Sequence, residues 1–180
     1  MRMKHIISLD QHALGFYEED DRPIDRTRRA ARAVLRNESG QIALMRFSTT
    51  GSYKLPGGGI DEGESVEAAL AREIREETGY TISSMQPLGI IEEDRYFCGM
   101  HQTSYCFSAL TDAFVGTELT DKELARGMEL AWFGSIDQAI AAVQRSSIAD
   151  EDGSIAGLEM MKLREVAILN SALMQESGKE

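Results

Sequence analysis

The alternation of apolar and polar positions along the chain predicts a set of β-strands. Residues 30–35 and 42–47 are apolar segments on either side of the turn-forming residues 37–40, which predicts an antiparallel hairpin. Residues 103–110 alternate Tyr, Phe and Ala with Ser and Cys, the period of a strand. Further strands are expected at residues 5–9, 88–91 and 129–133.

Helical spacing marks three other segments. Residues 65–78 contain no Gly or Pro and end before Gly79, which predicts a helix with Ser65 as its N-cap. Residues 136–143 and 158–173 also have helical spacing. We expect the last helix to pack on the core, with a homodimer contact through its wide apolar stripe as the alternative. Strands around a central helix, followed by further helices, predict an α+β fold.

No repeat or long linker divides the sequence, so we expect one domain with a short segment at each end. Residues 1–29 are interpreted as an N-terminal extension, either solvated or forming an extra edge strand. Residues 30–147 form the main domain. Residues 148–180 comprise an acidic connector and a C-terminal helix packed on the same domain. Residues 148–159 partly follow a calcium-binding loop pattern, but Ile148 replaces its first ligand, so a solvated connector is expected.

Charge and composition exclude several partners. The chain has 180 residues, with 30 Asp and Glu against 19 Lys and Arg, and a formal net charge of −11. This excess of negative charge repels a phosphate backbone, so duplex nucleic acid is not an expected partner. No apolar run is long enough for a membrane span. Cys98 and Cys106 lack a metal-ligand spacing, and we expect two reduced structural thiols in a cytoplasmic protein.

The central helix places acidic side chains in its own apolar stripe. At about 100° per residue, Glu73 and Glu77 fall inside the stripe and Glu76 lies at its edge. Two carboxylates about 6 Å apart at an effective dielectric near 20 repel by about 3 kcal/mol. Helix geometry alone places neither Arg72 nor Arg75 to neutralise all three. A stability-only design would not retain this arrangement, so we expect another cation to compensate it.

A divalent cation is the economical compensation. Hard carboxylate oxygens suit Mg²⁺ or Mn²⁺, whose octahedral shells are completed by waters and substrate phosphates. The preceding loop, residues 56–59, holds one proline and three glycines, so a backbone carbonyl can approach the ion closely. The pattern therefore predicts a metal site that handles an anionic substrate.

Residues 58–80, GGIDEGESVEAALAREIREETGY, carry a recognisable motif. Gly58, five residues, Glu64, seven residues and then REIREETG resemble the Nudix box, the signature of Nudix hydrolases. Tyr80 stands where the box more often has an aliphatic residue. The resemblance implies an αβα sandwich with a mixed β-sheet. It also implies hydrolysis of a nucleoside diphosphate linked to another moiety.

The resemblance assigns roles to the residues that match the box. It implies that Glu73, Glu76 and Glu77 bind divalent metal and that the backbone carbonyl at Gly58 joins them. Arg72 matches the arginine that orients a neighbouring glutamate. The remaining matched positions are structural: Glu64 braces the loop against the helix, and Gly79 ends the helix.

The sequence offers several candidates for the general base. In the mechanism that the resemblance suggests, metal ions neutralise phosphate charge and lower the pKa of a bound water, which attacks phosphorus in line. A carboxylate must take the proton of that water. Glu73 or Glu76 could do so, as could a glutamate outside the box. The outside candidates are Glu118, Glu123 and Glu129.

Substrate contacts and rival functions are less defined. Arg95, Tyr96 and Phe97 could hold a phosphate and stack on a base, although packing explains the aromatic residues equally well. One rival function is a Nudix-like isoprenoid diphosphate isomerase, which needs an additional reactive Cys and Glu. Another is a non-catalytic nucleotide-binding sensor, which would usually lack the box glutamates. The expected partner is a small phosphorylated substrate.

Overall fold

One mixed sheet of eight strands organises the described residues, 3–146 and 154–178, of a computed structural model of the protein. The strands are β1 (His5–Asp10), β2 (Arg26–Arg36), β3 (Ile42–Phe47), β4 (Ser52–Lys54), β5 (Gly57–Gly59), β6 (Tyr80–Arg95), β7 (Met100–Phe114) and β8 (Met128–Phe133). The helices are α1 (Val66–Thr78), α2 (Asp121–Ala125), α3 (Ile136–Gln144) and α4 (Ile155–Glu176), and a 3-10 turn spans Tyr96–Cys98.

Strand pairing combines both directions. β1 pairs parallel with β6, β6 antiparallel with β7, and β7 parallel with β2. β3 pairs antiparallel with both β4 and β8, and β5 pairs antiparallel with β2. Of the predicted hairpin, the pair next to the turn is present, where Arg36 lies opposite Ile42. Beyond that pair β2 runs along β7, from Arg26 opposite Met100 to Arg36 opposite Leu110. The turn brings the adjoining ends of β2 and β3 together, but the rest of β2 pairs with β7.

Helices cover both faces of this sheet. α1 packs on one face, where Leu70 and Ile74 meet Phe107. α3 and α4 pack on the other face, where Ile168 and Leu169 join the larger part of the core. The αβα arrangement, the mixed sheet and the α+β class are therefore confirmed. The described helices include none long and apolar enough to cross a membrane.

The two ends of α1 form as their residues dictate. The Ser65 side chain accepts a hydrogen bond from the backbone N–H of Ala68, which caps the first turn. Gly79 adopts a left-handed conformation with φ of 77°, and a Cβ there would lie 3.0 Å from the carbonyl carbon of Gly116. Both predicted ends of the box helix are confirmed.

The outer segments join the same sheet. β1 lies at one edge, so a strand is present within the N-terminal residues 1–29. β2 already begins at Arg26. α4 buries its apolar side against the sheet, as expected, while a dimer contact stays a prediction. Residues 148–153 of the expected acidic connector lie outside the described residues.

Candidate active site

A cavity of about 250 Å³ lies where β2, β4 and β5 meet α1 and α4. Its lining contains two groups of opposite charge character. One group, which we call the acidic wall, consists of Gly57, Gly58, Glu73 and Glu77. The other group, which we call the arginine wall, consists of Arg28, Arg32, Arg95 and Arg164. The box loop and box helix supply the acidic wall, so the motif does line a cavity.

Gly58 and Glu73 are in direct apposition. A Cβ added at Gly58 would lie 2.6 Å from Cδ and 2.7 Å from Oε1 of Glu73, so the carboxylate fills the space that a side chain would occupy. Burial raises the pKa of Glu73, the nearby charge of Glu77 raises it further, and Arg72 lowers it. A carboxylate in this position favours an additional cation beside it.

Glu77 is almost wholly buried, with 2% of its side chain exposed. Its two oxygens accept hydrogen bonds from Nζ of Lys54 and from the backbone N–H of Gly57, both at 2.8 Å. Lys54 was not among the residues singled out from the sequence, although it stands three positions before the glycine run. Its pairing with Glu77 crosses from β4 to α1 and leaves no local signal in the sequence.

Arg72 connects most of the remaining box carboxylates. It donates to both oxygens of Glu64, to Glu73 Oε1 at 2.9 Å and to Glu76 Oε2 at 3.3 Å. It also donates to the carbonyl oxygen of Gly59 at 3.0 Å, which ties the loop to the helix. These contacts raise the pKa of Arg72. Arg72 thus neutralises Glu73 and Glu76, and Lys54 neutralises Glu77.

The box carboxylates are paired with the side chains of Lys54 and Arg72. Within the described part of the chain, no three His, Cys, Asp or Glu side chains stand close enough together to hold a metal ion. A bound cation would compete with Lys54 at Glu77, whereas Arg72 contacts one oxygen each of Glu73 and Glu76. The donor set itself, carboxylate oxygens beside an open glycine backbone, matches what Mg²⁺ and Mn²⁺ prefer.

The arginine wall rests on a buried ion network that the sequence did not reveal beyond Arg95. Glu93 accepts from Arg95 at 2.7 Å and from Arg164 at 3.4 Å, and Arg164 donates to Glu165 at 2.9 Å. Burial alone would raise the pKa of Glu93, but the charges of Arg95 and Arg164 outweigh it and lower the pKa to about 2. The network joins β6 to α4 behind the cavity.

Arg32 is the incompletely satisfied member of this wall. The residue is 5% exposed, and neither Nε nor Nη1 has a hydrogen-bond partner among the described residues. Its nearest carboxylate oxygen, on Glu165, is 3.9 Å from Nη1. Burial and repulsion from Arg164 lower the pKa of Arg32 to about 10, so the guanidinium remains charged at neutral pH.

The other predicted residues are dispersed. Glu123 lines the cavity and also caps α2, whereas Glu129 pairs with Arg46 on β3 and Glu118 pairs with Arg75. Neither Glu118 nor Glu129 is among the residues that line the cavity.

Arg95 is the one member of the predicted substrate trio that lines this cavity. Tyr96 instead stacks on His12, with ring centroids 3.9 Å apart. Phe97 packs in a small buried cluster with Cys98 and Ala156. Both aromatic residues belong to the 3-10 turn that follows Arg95, and their rings pack outside this cavity.

The profile of the NUDIX domain matches residues 26–151. The chain therefore belongs to the NUDIX domain family. This match includes the box, the acidic wall and most of the sheet, and it begins at the first residue of β2.

Similar proteins match mainly over shorter segments. A Bacillus subtilis (strain 168) protein named "Putative 8-oxo-dGTP diphosphatase" is 40% identical over 63 residues, 35% of this chain and 42% of that protein. An "RNA pyrophosphohydrolase" of Shewanella piezotolerans (strain WP3 / JCM 13877) is 42% identical over 55 residues, 31% of this chain and 32% of that protein. The matched segments thus span less than half the length of these curated relatives.

Solved structures share the fold over more of the chain. A "MutT NUDIX hydrolase" from Burkholderia pseudomallei has a TM-score of 0.53 and 24% identity, covering 68% of this chain and 100% of that chain. A NUDIX hydrolase from Nitrosomonas europaea has a TM-score of 0.59 and 23% identity, covering 86% and 92%. At these identities the likeness establishes the fold.

Proposed function

We propose that the protein is a divalent-cation-dependent hydrolase that cleaves a diphosphate linkage in a nucleoside diphosphate derivative. The observation that carries the proposal is the acidic wall, where the Glu73 carboxylate fills the open side of Gly58 and Glu77 lies buried beside it. The names of the two relatives, a diphosphatase and a pyrophosphohydrolase, support the same reaction class.

Glu73, Glu76 and Glu77, with the backbone carbonyl at Gly58, would hold Mg²⁺ or Mn²⁺. When bound, the cation supplies charge neutralisation on the phosphates and lowers the pKa of a water. Arg72 keeps Glu73 and Glu76 oriented through its hydrogen bonds at 2.9 and 3.3 Å. The arginine wall lines the same cavity, where its positive charge attracts the phosphates.

Glu123 is the favoured general base among the residues outside the box. It lines the cavity, whereas Glu129 and Glu118 are paired with arginines away from it. In this role Glu123 accepts the proton of the attacking water while the phosphorus to leaving-group oxygen bond breaks. The proposal predicts that Glu123→Gln lowers kcat and that Glu129→Gln leaves it within about twofold.

The isomerase alternative finds less support in the structure. That chemistry needs a reactive thiol, and both Cys98 and Cys106 are buried without a disulfide. Burial raises the pKa of Cys106 further from the range of a reactive thiolate. Reduced buried thiols do fit a cytoplasmic location, which we include in the proposal.

The test is a hydrolysis panel with purified protein. Nucleoside triphosphates, dinucleoside polyphosphates, nucleotide sugars and dinucleotides are incubated with Mg²⁺, with Mn²⁺ and with EDTA, and phosphate-containing products are separated. We expect at least one substrate to be hydrolysed with metal and none with EDTA. Glu76→Gln should lower that rate by at least about 100-fold, whereas Glu67→Gln, an exposed position of the same helix, should keep it. Absence of turnover on the whole panel contradicts the proposal.

A further inference from the structure

The arginine wall holds more positive charge than its own carboxylates neutralise. Three buried arginines, Arg32, Arg95 and Arg164, face two buried glutamates, Glu93 and Glu165. The two glutamates are already well supplied with donors from the other two arginines. Arg32 is therefore the member whose charge is least compensated, through an ion pair with Glu165 at 3.9 Å and no hydrogen bond from Nε or Nη1.

The cavity is where this charge can be compensated. Arg32 lines it and is 5% exposed. Two of its guanidinium nitrogens, Nε and Nη1, have no hydrogen-bond partner among the described residues. Buried donors normally have a hydrogen-bond partner, because a buried donor without one costs free energy. A charged guanidinium with unmet N–H donors suits a phosphate, whose oxygens are strong hydrogen-bond acceptors.

Sheet register sets the position of Arg32 relative to the acidic wall. Arg32 lies opposite Gly57 in the pairing of β2 with β5, and Ala31 lies opposite Gly58. Neighbouring strands are about 4.8 Å apart, so Arg32 is one strand away from the glycine that receives the Glu73 carboxylate. Arg28, four residues earlier on the same face of β2, lines the same cavity.

We propose that Arg32 is a phosphate-binding residue that holds a second anionic group of the substrate, in addition to the group that lies at the box glutamates. This inference rests on the proposed function and narrows its substrate class. The molecule hydrolysed carries a phosphate group that reaches Arg32 while another part of its phosphate chain lies on the acidic wall. Nucleoside triphosphates and other polyphosphates meet this condition, whereas a compound with a single short anionic group does not.

A purely structural role for Arg32 makes a different prediction. If Arg32 mainly supports Glu165, its replacement lowers the unfolding temperature and leaves anion affinity unchanged. If Arg32 is held ready for an anion, replacement by an apolar side chain of similar length removes a weakly compensated buried charge. Arg32→Met then unfolds at the same or a higher temperature than wild type and binds anion less well.

The experiment measures binding of inorganic pyrophosphate by calorimetry in EDTA, so that no metal at the acidic wall contributes. We expect wild type to bind and Arg32→Met to bind about tenfold or more weakly. Arg29→Met is the matched control, because Arg29 is exposed on the other face of β2, with its guanidinium 5.3 Å from the ring centre of Tyr105. We expect this control to bind as wild type does.

Two further readouts keep the proposal separable from its alternatives. Arg32→Lys retains the positive charge but loses the guanidinium donors, so its affinity should fall between those of wild type and Arg32→Met. It serves as the test variant if Arg32→Met does not fold. Equal pyrophosphate affinity in wild type and the Arg32 variants, or no binding to wild type, overturns the inference. Pyrophosphate binding that depends on Arg32, without turnover of any compound in the hydrolysis panel, instead contradicts the proposed function and leaves the anion site standing.

Discussion

The acidic wall and the arginine wall handle buried charge in different ways. On the acidic wall, each carboxylate has one cation that could be exchanged for another: Lys54 for Glu77 and Arg72 for Glu73. On the arginine wall, Arg164 contacts two glutamates at once and forms part of a closed network. Arg32 reaches that network through a long ion pair with Glu165, at 3.9 Å, and its Nε and Nη1 have no hydrogen-bond partner among the described residues.

This difference separates what supports the fold from what binds ligands. A group with several partners stabilises its surroundings and resists exchange, as Arg164 does. A group with one replaceable partner, or with unmet donors, is open to an incoming ion. We expect Arg164 to be structural, and Lys54, Glu73 and Arg32 to respond to added metal or phosphate.

The largest effect should come from removing the centre of the closed network. Arg164→Met leaves Glu93 and Glu165 buried with fewer donors, so the free energy of unfolding should fall by about 3–5 kcal/mol. Urea unfolding monitored by circular dichroism measures it. Arg46→Met, which breaks an exposed pair with Glu129, is the control and should cost less than about 1 kcal/mol. Similar losses in both variants would remove the distinction between network and surface pair.

A smaller loss is expected on the acidic wall. Lys54→Met takes the ammonium from buried Glu77, and because Lys54 is 19% exposed the loss should be reduced to about 2–3 kcal/mol. Mg²⁺ or Mn²⁺ should restore part of it, so thermal unfolding should shift more on metal addition in Lys54→Met than in wild type. Lys162→Met, at an i,i+3 pair with Glu159 on α4, should show no such extra shift.

Acid titration should affect the arginine wall through Glu93. Its pKa is lowered from 4.5 to about 2 in the folded protein, so its contribution is complete above about pH 4.5 and is lost as the pH falls through that window. Wild type should lose about 2 kcal/mol by pH 3 through this group. Glu93→Gln, compared with wild type by urea unfolding between pH 6 and 3, should lack this part of the decline. Parallel curves would show that Glu93 is not held charged by the arginines.

The smallest of these effects concerns the box loop. Gly58→Ala places a Cβ against the Glu73 carboxylate, which must move, and we expect a loss of about 1–2 kcal/mol in the free energy of unfolding. Gly59→Ala is a close control, because its Cβ would meet the nearest atom, Nη2 of Arg28, at an ordinary 3.6 Å. The Gly59 variant should stay within about 0.5 kcal/mol of wild type. A reversed order would place Glu73 elsewhere than beside Gly58.

Local patterns predicted local structure well. The helix from Ser65 to Gly79 and the side chains of the acidic wall follow from spacing within 23 consecutive residues, because capping and periodicity act at short range. The αβα layers were implied by the resemblance of the box to a known family.

Pairings between distant segments could not be predicted in the same way. β2 pairs with β7 rather than along β3, and the network behind the cavity joins Glu93 to Arg164, which are 71 positions apart. Lys54 meets Glu77 across 23 positions. Such contacts depend on strand order and on which faces the helices cover, and no local periodicity encodes them.

Steady-state kinetics on one substrate test the division between the two walls most directly. The measurement compares wild type, Glu76→Gln and Arg32→Met on the nucleotide that the hydrolysis panel finds best, with saturating Mg²⁺ or Mn²⁺. The account predicts that Glu76→Gln lowers kcat at least about 100-fold with little change in KM, and that Arg32→Met raises KM about tenfold with a much smaller change in kcat. If Glu76→Gln keeps kcat, or if both variants change the same parameter, the assignment of hydrolysis to the box glutamates and anion binding to the arginine wall is contradicted.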